Sequence, residues 1–138
     1  LLAKRLRSRD LVVESVYSGE EALDALQKSA AGFDIVVLDM KMPGMDGIQT
    51  LKSIKNLKPE LEVIMLTGHA IIKSAVEALK FGAYDYLLKP CDFNDLISKA
   101  KKAILRKRER EGKILNVKSK PYISDRDREE LISNIMEE

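Results

Sequence analysis

Phe33-Asp34-Ile35-Val36-Val37-Leu38-Asp39 is the stretch that decides the fold. Ile35 to Leu38 are apolar in succession, with no alternation. That pattern places both faces of a strand in the interior, as happens in a parallel sheet covered by helices. Leu61–Leu66 (Leu-Glu-Val-Ile-Met-Leu) reads as a second strand of the same kind, ending at Thr67-Gly68. Between the two lie a loop carrying Pro43, Gly44 and Gly47 and a helix over Ile48–Leu57, stopped by Lys58-Pro59.

Outward from that centre the alternation continues. Ile71–Phe81 reads as a helix ended by Gly82, and Tyr84–Leu88 as a short strand ending at Lys89-Pro90. Asp92 can cap the next helix. There Phe93, Leu96, Ile97, Ala100 and Ile104 recur at i, i+3, i+4, i+7 and i+11. Upstream, Leu11–Tyr17 reads as a strand on its β-branched and aromatic content. Ser18-Gly19-Glu20-Glu21 is a capping box for a helix that buries Ala22, Leu23 and Leu26 and ends near Ala31-Gly32. Leu1, Leu2 and Leu6 suggest the back half of a first helix. The predicted order is a helix, then four strand–helix repeats. Strict alternation implies an α/β, doubly wound parallel sheet with right-handed crossovers.

Composition narrows the function. The 138 residues suit one domain, 45% hydrophobic and 33% charged, too apolar for a disordered chain. Twenty-four Lys and Arg against 22 Asp and Glu leave a net charge of +2, which excludes a globally basic nucleic-acid binder. One cysteine, Cys91, excludes a disulfide scaffold, and one histidine, His69, excludes a His-rich metal site. No apolar run is long enough to span a membrane, so a cytoplasmic setting is expected.

In open α/β sheets chemistry gathers at the carboxyl ends of the strands. Asp39, Thr67 and Lys89 stand at three successive predicted strand ends. A carboxylate, a hydroxyl and an ammonium in one place suit phosphoryl chemistry: the carboxylate as nucleophile, the other two holding phosphoryl oxygens, a divalent cation neutralising the rest. Taken singly, each has a plainer reading: a helix cap, a loop hydroxyl, a solvated lysine.

Asp39-Met40-Lys41-Met42-Pro43-Gly44-Met45-Asp46-Gly47 resembles the phosphoacceptor loop of response-regulator receiver domains. Leu66-Thr67-Gly68-His69-Ala70 and Tyr86-Leu87-Leu88-Lys89-Pro90 resemble the family's two later motifs, in the same order and spacing. The resemblance covers residues 1 to about 110 and implies a flavodoxin-like topology. It implies that Asp39 accepts a phosphoryl group from the phosphohistidine of a histidine kinase or phosphotransfer protein. Asp39 and the backbone carbonyl of Lys41 would ligate Mg²⁺. Thr67 would bond a phosphoryl oxygen and Lys89 would pair with the group. Tyr86 would be the switch aromatic that follows Thr67, and the Lys89–Pro90 bond would be cis. Lys41 and His69 match positions that tune autodephosphorylation in the family; exposed loop side chains are the other reading. Cys91 reads as a small buried side chain. The implied activity is a phosphorylation-dependent signalling switch, not an enzyme. The competing readings are a degenerate receiver used only as an interaction module and, last, a small aspartyl phosphatase, which lacks the expected D-x-D spacing.

The sequence also departs from the family, which opens with a strand ending in an acidic pair. Asp10 and Glu14 flank or lie in the second predicted strand and do not supply it. The expectation is an N-terminally truncated receiver. Otherwise Ile114–Val117, folded back or swapped from a second copy, would have to cover the sheet.

Residues 111–138 form an extension with a short amphipathic helix carrying Leu131, Ile132, Ile135 and Met136. That helix would pack on its own domain or make a homodimer. Residues 99–113 hold eight Lys or Arg and two Glu, a local charge of +6. The run reads as a solvated helix face or as a partner surface. No direct DNA binding and no membrane partner are expected.

Overall fold

The computed structural model describes residues 2–9, 11–29, 32–40, 46–68, 72–121 and 123–137. Three parallel strands, β1 (Ile35–Asp39), β2 (Glu62–Thr67) and β3 (Asp85–Leu88), lie in the order β1-β2-β3. Among the described residues six helices accompany them: α1 (Leu2–Arg7), α2 (Gly19–Lys28), α3 (Gly47–Leu57), α4 (Ile72–Lys80), α5 (Phe93–Lys118) and α6 (Asp125–Glu137). The mixed α/β class and the parallel sheet are as expected.

Register assigns the two faces of the sheet. Val36 pairs with Val63, and Leu38 with Met65. Because side chains alternate, these four share one face. There they join Leu26 of α2, Leu51 and Ile54 of α3 and Ala78 of α4 in the main core. Ile35, Val37, Glu62 and Ile64 point the other way, toward α5, which packs on β1 and β2. The core is aliphatic, with Leu51, Ile54, Val63 and Ile64 wholly buried. Burial of both faces of β2 explains its unalternating sequence.

Several expectations need correction. Leu11–Tyr17 forms no strand. Val12 and Tyr17 are exposed. Arg7 donates to the Val13 carbonyl at 3.0 Å, and the Tyr17 amide donates to the Glu21 carboxylate at 2.9 Å. A strand exists only where a neighbour completes its hydrogen-bond ladder, and no strand pairs with the outer edge of β1 among the described residues. Among the described residues the sheet therefore has three strand–helix repeats, not the expected four.

α2 stops at Lys28, short of Ala31-Gly32. Gly32 does take a left-handed backbone (φ +76°), but in the turn toward β1, where its amide donates to the Ser29 hydroxyl at 3.0 Å. Ser18 caps α2 as expected, its hydroxyl accepting from the Glu21 amide at 3.1 Å, while the Glu21 carboxylate reaches back to the Tyr17 amide. Ile114–Val117 does not cover the sheet; it is helical, within α5. That helix runs without a break through the basic segment to Lys118, and α6 folds back along it.

Gly112 lies exposed within α5, and a Cβ there would meet nothing within 4 Å. Gly112→Ala should therefore stabilise the chain by about 0.5–1 kcal/mol through lost unfolded-state freedom. A raised denaturant midpoint would show it.

Candidate functional site

Asp39 is the last residue of β1 and Thr67 the last of β2. Lys89 follows β3 directly. Two backbone bonds hold these ends level: the Met40 amide donates to the Leu66 carbonyl at 2.9 Å, and the Lys89 amide to the Thr67 carbonyl at 2.7 Å. Asp39 and Lys89 flank β2 from either side. Two strand spacings amount to about 10 Å, a gap that a lysine and an aspartate side chain close together. The Lys89 ammonium donates to Asp39 Oδ2. Both side chains keep about two fifths of their surface in solvent, 41% for Lys89 and 37% for Asp39.

The neighbouring turns are built tightly. The Lys89–Pro90 peptide bond is cis. Asp92 caps α5, accepting from the amides of Asn94 at 2.7 Å and Asp95 at 3.3 Å. Phe93, the first residue of α5, carries the Arg5 guanidinium 4.3 Å from its ring centre, which docks α1 beside this turn. On the other side Asp46 caps α3, accepting from Gln49 at 2.8 Å.

Thr67 pairs with Leu88 and Met65 with Tyr86. Thr67 and Tyr86 therefore share a sheet face, one pleat apart on adjacent strands. Tyr86 is 37% exposed. Together with Leu88, Pro90, Cys91 and Asp92 it lines a cavity of about 420 Å³. Cys91 is half-buried. Lys41 and His69 lie outside the described residues, as do Met42–Met45 and Asp10.

Two positions that shape this region escaped the sequence reading. A Cβ on Gly47 would lie 2.7 Å from Met40 Cα and 3.1 Å from the Asp39 carbonyl oxygen. The start of α3 thus presses on the backbone that carries Asp39, and the Asp46-Gly47 pair was the only signal of it. The second is Asp85, which points toward α5 and binds the Lys99 ammonium.

That hydrogen bond, more than any neighbouring charge, raises the Lys99 pKa above 10.5. A raised value means that the native chain keeps a proton the unfolded chain has released. The stabilisation is then complete below pH 10.5 and disappears as the pH climbs through the raised value. The difference in unfolding midpoint between the native chain and Lys99→Gln should be constant from neutral to mildly alkaline pH and shrink above 10.5.

The match to known sequences decides the family. Residues 1–101 fit the model of the response regulator receiver domain. The chain belongs to the response-regulator receiver family. It is 42% identical over 109 residues to the transcriptional regulatory protein ZraR of Salmonella typhimurium, a match covering 79% of this chain and 24% of that protein. It is 39% identical over 104 residues to the DNA-binding transcriptional regulator NtrC of Klebsiella pneumoniae, covering 75% of this chain and 22% of the relative. The receiver thus spans about a quarter of the length of the curated relatives it matches. Among solved structures, the receiver domain of NtrX from Brucella abortus superimposes with a TM-score of 0.70 at 33% identity, covering 75% of this chain and 86% of that one. The flavodoxin-like receiver topology follows. No helix among the described residues is long and apolar enough to cross a membrane.

Proposed function

We propose that this receiver is a phosphoryl switch with Asp39 as the acceptor. An Asp39 carboxylate oxygen forms a bond to the phosphorus of a phosphohistidine on a histidine kinase or phosphotransfer protein. The P–N bond breaks, and its electron pair returns to the donor's imidazole. The observation that carries the reading is the Lys89 ammonium on the Asp39 carboxylate, beside Thr67. A phosphoryl group on Asp39 would be born next to a cation, and charge-assisted bonds to phosphoryl oxygens are among the strongest available. Thr67 would bond one of those oxygens, and Tyr86, on the same face, would follow its movement. Coupling of about 1–3 kcal/mol is enough to shift populations several-fold.

Mg²⁺ is the ion the family implies. Among the described residues no three His, Cys, Asp or Glu side chains cluster into a metal cage. Mg²⁺ needs no cage, since it keeps several waters and takes one or two carboxylates. Asp39 would supply one carboxylate and, as the family resemblance implies, the Lys41 carbonyl would be a further ligand; the bound ion would supply positive charge against the phosphoryl oxygens. A role outside catalysis and a cytoplasmic setting belong to the same proposal. Coupling to transcription rests on the relatives' names alone, and no residue here is assigned a DNA contact.

Intact mass after acetyl phosphate treatment, with and without Mg²⁺, tests the reading. The expected result is a Mg²⁺-dependent phosphoryl adduct that Asp39→Asn lacks. A native chain that stays unmodified while still binding its partner would instead make it an interaction module.

A further inference from the structure

Far from Asp39, at the opposite end of β2, stands a buried charge. Glu62 opens β2 and is 2% exposed, and Arg110 of α5 is 7% exposed. The Arg110 Nη1 donates to Glu62 Oε1 at 3.1 Å. Arg106, one turn earlier, brings its own Nη1 to 3.9 Å from Oε2. On the side of α3, the Lys55 ammonium donates to the carbonyls of Pro59 at 2.7 Å and Leu61 at 2.9 Å, within the field of Glu62. One carboxylate thus serves two guanidiniums and lies near an ammonium. Both arginines lie beyond residue 101, where the family match ends.

The packing of α5 shows what this cluster could do. Its first half is held by apolar burial of Phe93, Leu96, Ile97 and Ala103. Beyond Ala103 its buried residues are Arg110 and Val117. The Arg108–Asp34 pair at 3.9 Å is exposed and holds little. From Ala103 to Lys118 the helix extends about 22 Å, and α6 packs along it. A small tilt at Ala103 would swing the far end and α6 with it. A buried ion pair adds little net stability, but it accepts few geometries.

We propose that Glu62 and Arg110 form an orientation lock that fixes the direction in which the α5–α6 arm leaves the receiver. The lock acts on α5 itself and is separate from the phosphoryl chemistry. Glu62 and Thr67 lie five residues apart along β2, about 16 Å.

The test is a pair of spin labels on the full chain, in a Cys91→Ser background, at Gln49→Cys on α3 and Asn134→Cys on α6, both exposed positions. The locked chain gives one narrow distance distribution. Glu62→Gln and Arg110→Gln should each lose it for a broad or bimodal one. The double variant Glu62→Leu, Arg110→Met replaces both charges with apolar side chains, so it remains informative where a single variant fails to fold; it too should lose the narrow distance. A folded variant that keeps the native distribution overturns the lock. Adduct formation from acetyl phosphate, measured on the same samples, should be unchanged. Broadening accompanied by a loss of adduct would overturn the separation between lock and acceptor. The distance measurement stands whether or not Asp39 is phosphorylated, so failure of either proposal is read independently.

Discussion

Lys89→Met should slow phosphoryl adduct formation about a hundredfold while leaving the stability of the chain nearly untouched. The size follows from placement. Lys89 is the cation that bonds the Asp39 carboxylate, so it stands where phosphoryl charge would develop. Loss of one preorganised donor at such a point costs about 10²–10³ in rate. The stability expectation follows from exposure. With 41% and 37% of the two side chains in solvent, the ion pair resembles surface pairs, which contribute about 0–1 kcal/mol. Lys89→Arg should not restore the rate, because a planar guanidinium fork cannot occupy the space of a compact ammonium. Adduct mass against time and a denaturant midpoint measure the two quantities separately. An unchanged rate would remove Lys89 from the chemistry.

Thr67 and Tyr86 allow a further separation of roles. The two share a sheet face, one pleat apart on adjacent strands. If phosphorylation draws Thr67 toward the new group, Tyr86 has room to respond, because it borders a cavity and is only partly covered. The proposed adduct and the proposed response of Tyr86 can therefore be measured as separate events.

How much of this was legible in the sequence depended on whether a residue's environment lay in its own neighbourhood. β1 and β2 were readable as unbroken apolar runs; β2 is buried on both faces, whereas β1 is only half-buried apart from Leu38. Phe93, Leu96 and Ile97 at the start of α5 were readable because a helix repeats its contacts every third or fourth residue; further on, Ala100 and Ile104 are only half-buried and Ala103 is the buried residue. Asp39, Thr67 and Lys89 were readable because strand ends in a parallel sheet meet at one edge. Leu11–Tyr17 was misread because strand propensity describes a residue's fit to a pleated surface, whereas a ladder also needs a neighbour. Glu62 and Arg110 could not be paired by any local rule, being 48 residues apart. A lone carboxylate inside an apolar strand was the available hint. The basic run around Arg110 was read as a solvated face or a partner surface, and neither description fits a guanidinium that is 7% exposed.

Gly47→Ala should both destabilise the receiver, by about 1–3 kcal/mol, and slow adduct formation by up to about a hundredfold. The added carbon would lie 2.7 Å from Met40 Cα, 3.0 Å from the Met40 carbonyl oxygen and 3.1 Å from the Asp39 carbonyl oxygen. All three are backbone atoms, so no side chain can rotate aside. α3 itself resists movement, because Leu51 and Ile54 are wholly buried in the main core. The Asp46 cap and the bond from the Gly47 amide to the Met40 carbonyl at 3.3 Å tie its first turn to the site. The strain must then fall on residues 39 and 40, immediately behind the proposed acceptor carboxylate, where a displacement near 1 Å can cost about a hundredfold in rate. Gly112→Ala is the matching control, since its Cβ meets nothing within 4 Å. That variant should gain stability and react at the native rate. Thermal unfolding and the rate of phosphoryl incorporation on the two alanine variants settle the matter: Gly47→Ala reacting as fast as Gly112→Ala would show that the acceptor tolerates the displaced backbone and that α3 does not set its geometry.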